Sequence, residues 1–194
     1  TTLAPTTLTQ NPPTSTGIPA PTAEPTLVPV DTGIGGAINI AFTSNREVFL
    51  MDMDGTNTVQ LTNTNLPKFD LQWLPDGQDI LYVEGKCVYI VTAEAPETGP
   101  DEIACFTDEY FDGFRVSPDG NYVAVSIGRR LLILPFDREL LSKAKTAVEL
   151  QRSENLCIDY VEVTVKSAQW SADGKSLAII YHGAVGNLNR LGEA

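Results

Sequence analysis

The stretch Leu71-Gln-Trp73-Leu-Pro75-Asp76-Gly77 returns 43 residues later as Phe114-Arg-Val116-Ser-Pro118-Asp119-Gly120, and 54 residues after that as Ala168-Gln-Trp170-Ser-Ala172-Asp173-Gly174. Each copy closes on Asp-Gly between apolar runs. That pair marks a tight hairpin, because such turns need residues that tolerate φ > 0. Asp-Gly occurs at 54–55, 76–77, 112–113, 119–120 and 173–174, and the pattern predicts a turn at each. Asp76, Asp119 and Asp173 are expected to cap their own turns by accepting backbone N–H bonds.

The frame extends outward from these turns. Ile80-Leu-Tyr-Val83, Val123-Ala-Val-Ser126 and Leu177-Ala-Ile-Ile180 follow the three copies as strands. Turn residues Gly85, Gly128 and Gly183 come next, then Val88-Tyr-Ile-Val91 and Leu131-Leu-Ile-Leu134. An earlier unit without the tryptophan frame fits the same order: Ile38 to Thr43, a turn at Asn45, Val48-Phe-Leu-Met51 and the turn Asp54-Gly55. Units close on Leu61-Thr62, Phe106-Thr107 and Ile158-Asp159. A period of about 40–45 residues holding four short strands marks a propeller blade. One blade cannot bury its own faces, so blades stack around an axis. Counting strands gives three, four, four and two, about three and a quarter blades. The fold class expected is therefore all-β: a β-propeller of four-stranded antiparallel blades, read as part of a longer propeller. Trp73, Val116 and Trp170, on the inner strand of each blade, are assigned to packing between blades. Tryptophans as ligand platforms are the rival reading, and buried aromatics are mostly core.

These residues resemble the TolB-type propeller repeat and its tricorn-like relatives. The resemblance lies in Ile40-Ala-Phe-Thr-Ser-Asn-Arg46, Val48-Phe-Leu-Met-Asp-Met-Asp-Gly-Thr-Asn57, Leu61-Thr62 and Trp73-Leu-Pro-Asp-Gly77. It covers roughly residues 38–182 and weakens in the third unit, where 137–147 reads as a short amphipathic helix inserted before the outer strand. The resemblance implies partners bound on the flat faces through loops between strands. The loop 92–102 and the insertion 137–147 are the contact segments expected here.

Composition narrows the rest. The chain has 194 residues, with 13 Lys+Arg against 25 Asp+Glu and a net charge of −12. That argues against gripping nucleic acid or an anionic membrane by charge. No apolar run nears the ~18–20 residues of a bilayer span. Residues 1–33 hold ten Thr and seven Pro, no aromatic residue and no Lys or Arg. Such a segment cannot bury enough apolar surface to offset its ordering entropy. It reads as an extended, polyproline-II-like linker, or as a docking arm against a neighbouring subunit, ahead of the blades at 34–194. Thr1 looks like a processed or partial start.

Catalytic and metal chemistry find little support. Asp52-x-Asp54-Gly-x-Asn57 is half of a calcium loop, but no acid follows at the spacing of the closing glutamate, so the turn reading explains it. His182 is the single histidine, which excludes multi-histidine metal sites; no Gly-x-Ser-x-Gly elbow accompanies it. No metal, cofactor or catalytic residue is assigned. Aligning the first two units puts Cys87 at Glu47 and Cys105 at Gln60, facing positions on the third and fourth strands, so a Cys87–Cys105 disulfide is expected. It would imply an oxidising, extracytoplasmic compartment, periplasmic or cell-surface, with Cys157 left over. The function expected is a non-catalytic scaffold for other proteins in a surface or envelope assembly. Two rivals stand beside it. One is a ligand- or carbohydrate-sensing propeller using Tyr110, Phe111 and Phe114. The other is the propeller part of a prolyl-oligopeptidase-like enzyme, whose hydrolase domain would lie beyond Ala194.

Overall fold

The computed structural model describes residues 38–108, 110–161, 165–181 and 184–189. The arm at 1–33, His182 and Gly183 lie outside the described residues. Among the described residues, fourteen strands form four separate antiparallel sheets. The first holds β1 (Asn39–Ser44), β2 (Glu47–Asp52) and β3 (Val59–Gln60). The second holds β4 (Lys68–Trp73), β5 (Asp79–Glu84), β6 (Cys87–Thr92) and β7 (Asp101–Cys105), in that spatial order. The third runs β8 (Phe111–Val116), β9 (Tyr122–Ile127), β10 (Arg130–Pro135) and β11 (Ile158–Val161). The fourth holds β12 (Val165–Trp170), β13 (Ser176–Tyr181) and β14 (Ala184–Asn189). Strand β14 goes beyond the two strands expected of the last unit. Its sequence, Ala-Val-Gly-Asn-Leu-Asn, has no regular apolar–polar alternation by which to read it as a strand.

Chain order equals spatial order in every sheet, so each is a meander of hairpins. Among the described residues, three apolar clusters hold the sheets together, one per neighbouring pair. Val48 and Leu50 meet Ile80, Tyr82 and Val91 between the first and second sheets. Leu81, Val83, Val88 and Ile90 meet Phe114, Val123 and Val125 between the second and third. Leu131 and Ile133 meet Val165, Trp170, Leu177 and Ile179 between the third and fourth. Strand alternation explains the division: in the second sheet, even positions of β5 face backward and odd positions face forward. Burying a large apolar side chain contributes about 1.5–3 kcal/mol, so these interfaces supply the main stabilisation.

Two expectations change. Asp112-Gly113 lies inside β8, not in a turn. Gly113 is needed there for another reason: a Cβ on it would sit 2.9 Å from Asp70 Oδ2 of the neighbouring sheet. The expected single helix is two, α1 (Arg138–Lys143) and α2 (Ala147–Gln151). Asp137 caps the first, accepting from Glu139 N and Leu140 N. Thr146 and Glu149 form a reciprocal capping box that starts the second and so breaks the run.

Candidate functional site

The strands that open the second, third and fourth sheets, β4, β8 and β12, lie side by side, and side chains of each reach the backbone of the next. Gln72 accepts from Val116 N (3.2 Å) and donates to Phe114 O (3.0 Å). Asp70 accepts from Phe114 N (2.8 Å) and pairs with Arg115 at 2.8 Å. Trp170 Nε1 donates to Arg115 O (2.9 Å). Asp70 reaches across because the β4–β5 ladder shifts register between Phe69 and Gln72, with Asp70 at φ 52. Burial lifts the Asp70 carboxyl above its ordinary value, with Arg115 and the Phe114 N–H pulling the other way.

All three strands end at the same side in the recurrent turns. Gly77, Gly120 and Gly174 take φ of 69°, 73° and 68°, and their N–H groups donate to Leu74, Ser117 and Ser171 carbonyls. Asp76 accepts from Gln78 N and Asp79 N, both at 2.9 Å. Asp119 accepts from Ser117 Oγ (2.5 Å) and Asn121 N (3.1 Å); Asp173 accepts from Ser171 Oγ (2.6 Å) and Lys175 N (3.1 Å). Serine hydroxyls first, then backbone N–H groups, hold the Asp119 and Asp173 carboxyls below the usual aspartate value. These acids serve their own turns. The same holds for Asp54, which accepts from Thr56 N (2.9 Å) and Thr56 Oγ1 (2.6 Å) beside Gly55 at φ 83°.

Between the turns lies a cavity of about 480 Å³, lined among others by Gln72, Trp73, Arg115, Pro118, Gln169 and Trp170. Trp170 is 6% exposed and Val116 7%, each sunk into the cluster shared with the preceding sheet. Trp73 is half-buried, packing against the first sheet on one side and bordering the cavity. Gln169 is exposed and makes one long contact, to Trp170 O at 3.5 Å.

Radial sheets sharing apolar flanks, with inner strands laced together around a central cavity, decide the architecture. This is an arc of a β-propeller. No family model and no curated protein matches the sequence. Solved structures do. The Cps50 (Swd1) β-propeller domain of Myceliophteria thermophila aligns at TM-score 0.54 and 12% identity, over 79% of this chain and 52% of that one. A chain in a crystal structure of the mitotic checkpoint complex aligns at TM-score 0.54 and 16% identity, over 80% and 48%. The chain thus spans about half the length of these propellers. The likeness concerns the fold, and it supports a propeller without pointing to the TolB-like family.

Other residues singled out in the sequence fall elsewhere. Cys87 and Cys105 are direct partners across β6 and β7, Cα atoms 4.0 Å apart, with their sulfurs joined. In the first blade Gln60 faces Phe49; it is Thr62 whose hydroxyl reaches Glu47 (2.5 Å). Short outer strands take their register from the turn before them, which alignment of units does not show. Cys157 is free and exposed. Phe111 and Phe114 are 9% and 0% exposed core residues, and Tyr110 lies under the Arg129 guanidinium at 4.8 Å, so the three form no platform at the cavity. The insertion turns its apolar side inward: Leu141, Ala144, Ala147 and Leu150 are buried, and Ala147 N donates to Asp108 Oδ2 (2.8 Å). It fastens blade three over β7 of blade two. A feature the sequence did not announce is Lys68, with its side chain 0% exposed between Glu47 (2.9 Å) and Glu84 (3.0 Å).

Proposed function

We propose that this chain is a non-catalytic, extracytoplasmic propeller of TolB-like type that holds protein partners at its axial cavity and neighbouring loops. The observation that carries this is the cavity wall. Half-exposed Trp73 and the prolines Pro75 and Pro118 give apolar flanks, while Gln72, Gln169 and Arg115 give amide and guanidinium groups suited to a peptide backbone. Arg115 Nε is buried with no hydrogen-bond partner among the described residues. The loop over 92–102, with Glu94, Glu97, Asp101 and Glu102 exposed, supplies a second, acidic contact surface. The insertion packs its apolar side inward and keeps Arg138, Glu139, Ser142 and Lys143 exposed, so its outer side remains a contact segment in this reading. In this reading residues 1–33 are the spacer or docking arm and residues 34–194 the binding part. The cysteine bridge and the repeat motifs support the compartment and the family.

Peptide display against the full chain tests the cavity. Selected peptides should bind the parent protein and lose at least about tenfold in affinity on Gln169→Arg, a change of about 1.4 kcal/mol. The melting temperature should not move, since Gln169 is exposed. No enriched peptide, or equal binding by the variant, would overturn the placement.

A further inference from the structure

We propose that, with its disulfide opened, the outer corner of blade two binds a soft divalent cation of the zinc class through Cys87, Cys105 and Glu102. The register of β6 and β7 brings the three together. Cys87 pairs with Cys105 and Tyr89 with Glu102, with a register shift between Val88 and Tyr89. In an unbroken strand, residues 102 and 105 would point to opposite faces. The extra residue returns Glu102 to the face of Cys105, while Ile103 and Ala104 stay buried in the apolar cluster. One ligand atom from each of Cys87, Cys105 and Glu102 then lies within 4.8 Å of the other two.

The donor set fits the ion. Zinc takes thiolate sulfur and carboxylate oxygen, and three protein ligands leave a fourth, open position for water. Two thiolates favour soft cations over calcium or magnesium. The Tyr89 hydroxyl donates to Glu102 Oε2 at 3.2 Å and so orients the carboxylate from outside the ligand set. Both cysteines are half-buried and Glu102 is exposed, which gives an entry path from solvent. Main-chain pairing of β6 with β7 runs from Cys87 to Ile90 along one strand, so the ladder keeps the sulfurs facing after their bond is cut.

The chemistry balances with a dithiol or phosphine reductant. The S–S bond takes up two electrons and two protons to give two thiols: a dithiol supplies both and leaves as its disulfide, whereas a phosphine supplies the electrons and one water supplies the two protons and the oxygen of the phosphine oxide. The cation then displaces the two thiol protons to solvent, forming two S–metal bonds and one O–metal bond. Disulfide and metal use the same sulfurs, so the two states exclude each other. This site is distinct from the axial cavity and does not rest on the peptide-binding role.

The test uses the full chain, reduced with a phosphine and desalted without air, beside the oxidised chain. Zinc is titrated in competition with a chromophoric chelator, and Co²⁺ is used as a spectroscopic probe. The expected result is one zinc per reduced chain, none per oxidised chain, and a thiolate-to-cobalt charge-transfer band. Cys87→Ser or Cys105→Ser should abolish binding, Cys157→Ser should keep it, and Glu102→Gln should weaken it by at least about tenfold. No binding by the reduced chain overturns the proposal, whether its circular dichroism matches the oxidised chain or shows the ladder lost. So does zinc retained by the Cys87→Ser, Cys105→Ser double variant, zinc lost in Cys157→Ser, or unchanged affinity in Glu102→Gln.

Discussion

Replacing Lys68 by methionine should cost more stability than any surface change in this protein. The ammonium is fully buried and touches Glu47 Oε2 at 2.9 Å, Glu84 Oε2 at 3.0 Å, Thr64 Oγ1 at 2.6 Å and Leu66 O at 3.0 Å. It joins blade one to blade two. At an effective dielectric constant of about 20, each ion contact is worth roughly 5–6 kcal/mol in gross Coulomb energy. Desolvation of the lysine offsets much of that. Lys68→Met, however, leaves two carboxylates 8% and 9% exposed without their cation. Breaking a buried pair in this way costs about 3–5 kcal/mol. For a domain of this size the melting temperature should fall by roughly 10 °C. Chemical denaturation and calorimetry measure both. The double variant Glu47→Gln, Lys68→Met should be more stable than Lys68→Met alone, because one unpaired charge is gone. The pH dependence carries a sign as well. Burial raises the Glu47 carboxyl, but hydrogen bonds from Thr62, Lys68 and Asn65 outweigh it and hold it below its ordinary value. A carboxyl lowered in the folded state stabilises above its unfolded value of about 4.3, and that contribution is lost as pH falls through the lowered folded value. The parent protein should therefore weaken in acid through this group, and Lys68→Met should weaken less over the same range. A loss under about 1 kcal/mol, or a double variant no better than the single, would refute the account.

Four further variants test other parts. Gly113→Ala sets a Cβ 2.9 Å from Asp70 Oδ2 and should break the Asp70 bond to Phe114 N, costing about 1–3 kcal/mol by denaturation. The Cys87→Ser, Cys105→Ser double variant opens a loop of sequence separation 18 and should lower stability by about 3 kcal/mol, read as a drop in the denaturant midpoint against the oxidised parent. Ser117→Ala and Ser171→Ala should each raise the aspartate they serve, Asp119 or Asp173, toward the usual value. Carboxyl titration by NMR measures it. Since both groups are lowered in the fold, the stability they lend is present above about pH 4 and lost below it.

The repeat was legible because each turn is local chemistry. Asp and Gly at Asp76-Gly77, Asp119-Gly120 and Asp173-Gly174 are chosen for φ > 0 and for nearby N–H groups, within a few residues of themselves. Strand alternation is equally local, so the blades and their apolar faces could be read from order alone. The facing of Cys87 and Cys105 was expected from aligning the first two units, although the same alignment misplaced Gln60 in blade one. What sequence could not supply was contact between units. Asp112-Gly113 has the letters of a turn and the conformation of a strand, because Asp70, 43 residues before Gly113, needs room there. Lys68 reads as a surface residue until Glu47 and Glu84 close over it from two blades. The axial cavity exists only where the ends of three inner strands converge. Turn and strand preferences are fixed by energies within a few residues of chain. Burial, charge pairing and cavities depend on which distant surfaces meet, and only the packed arrangement of blades determines that.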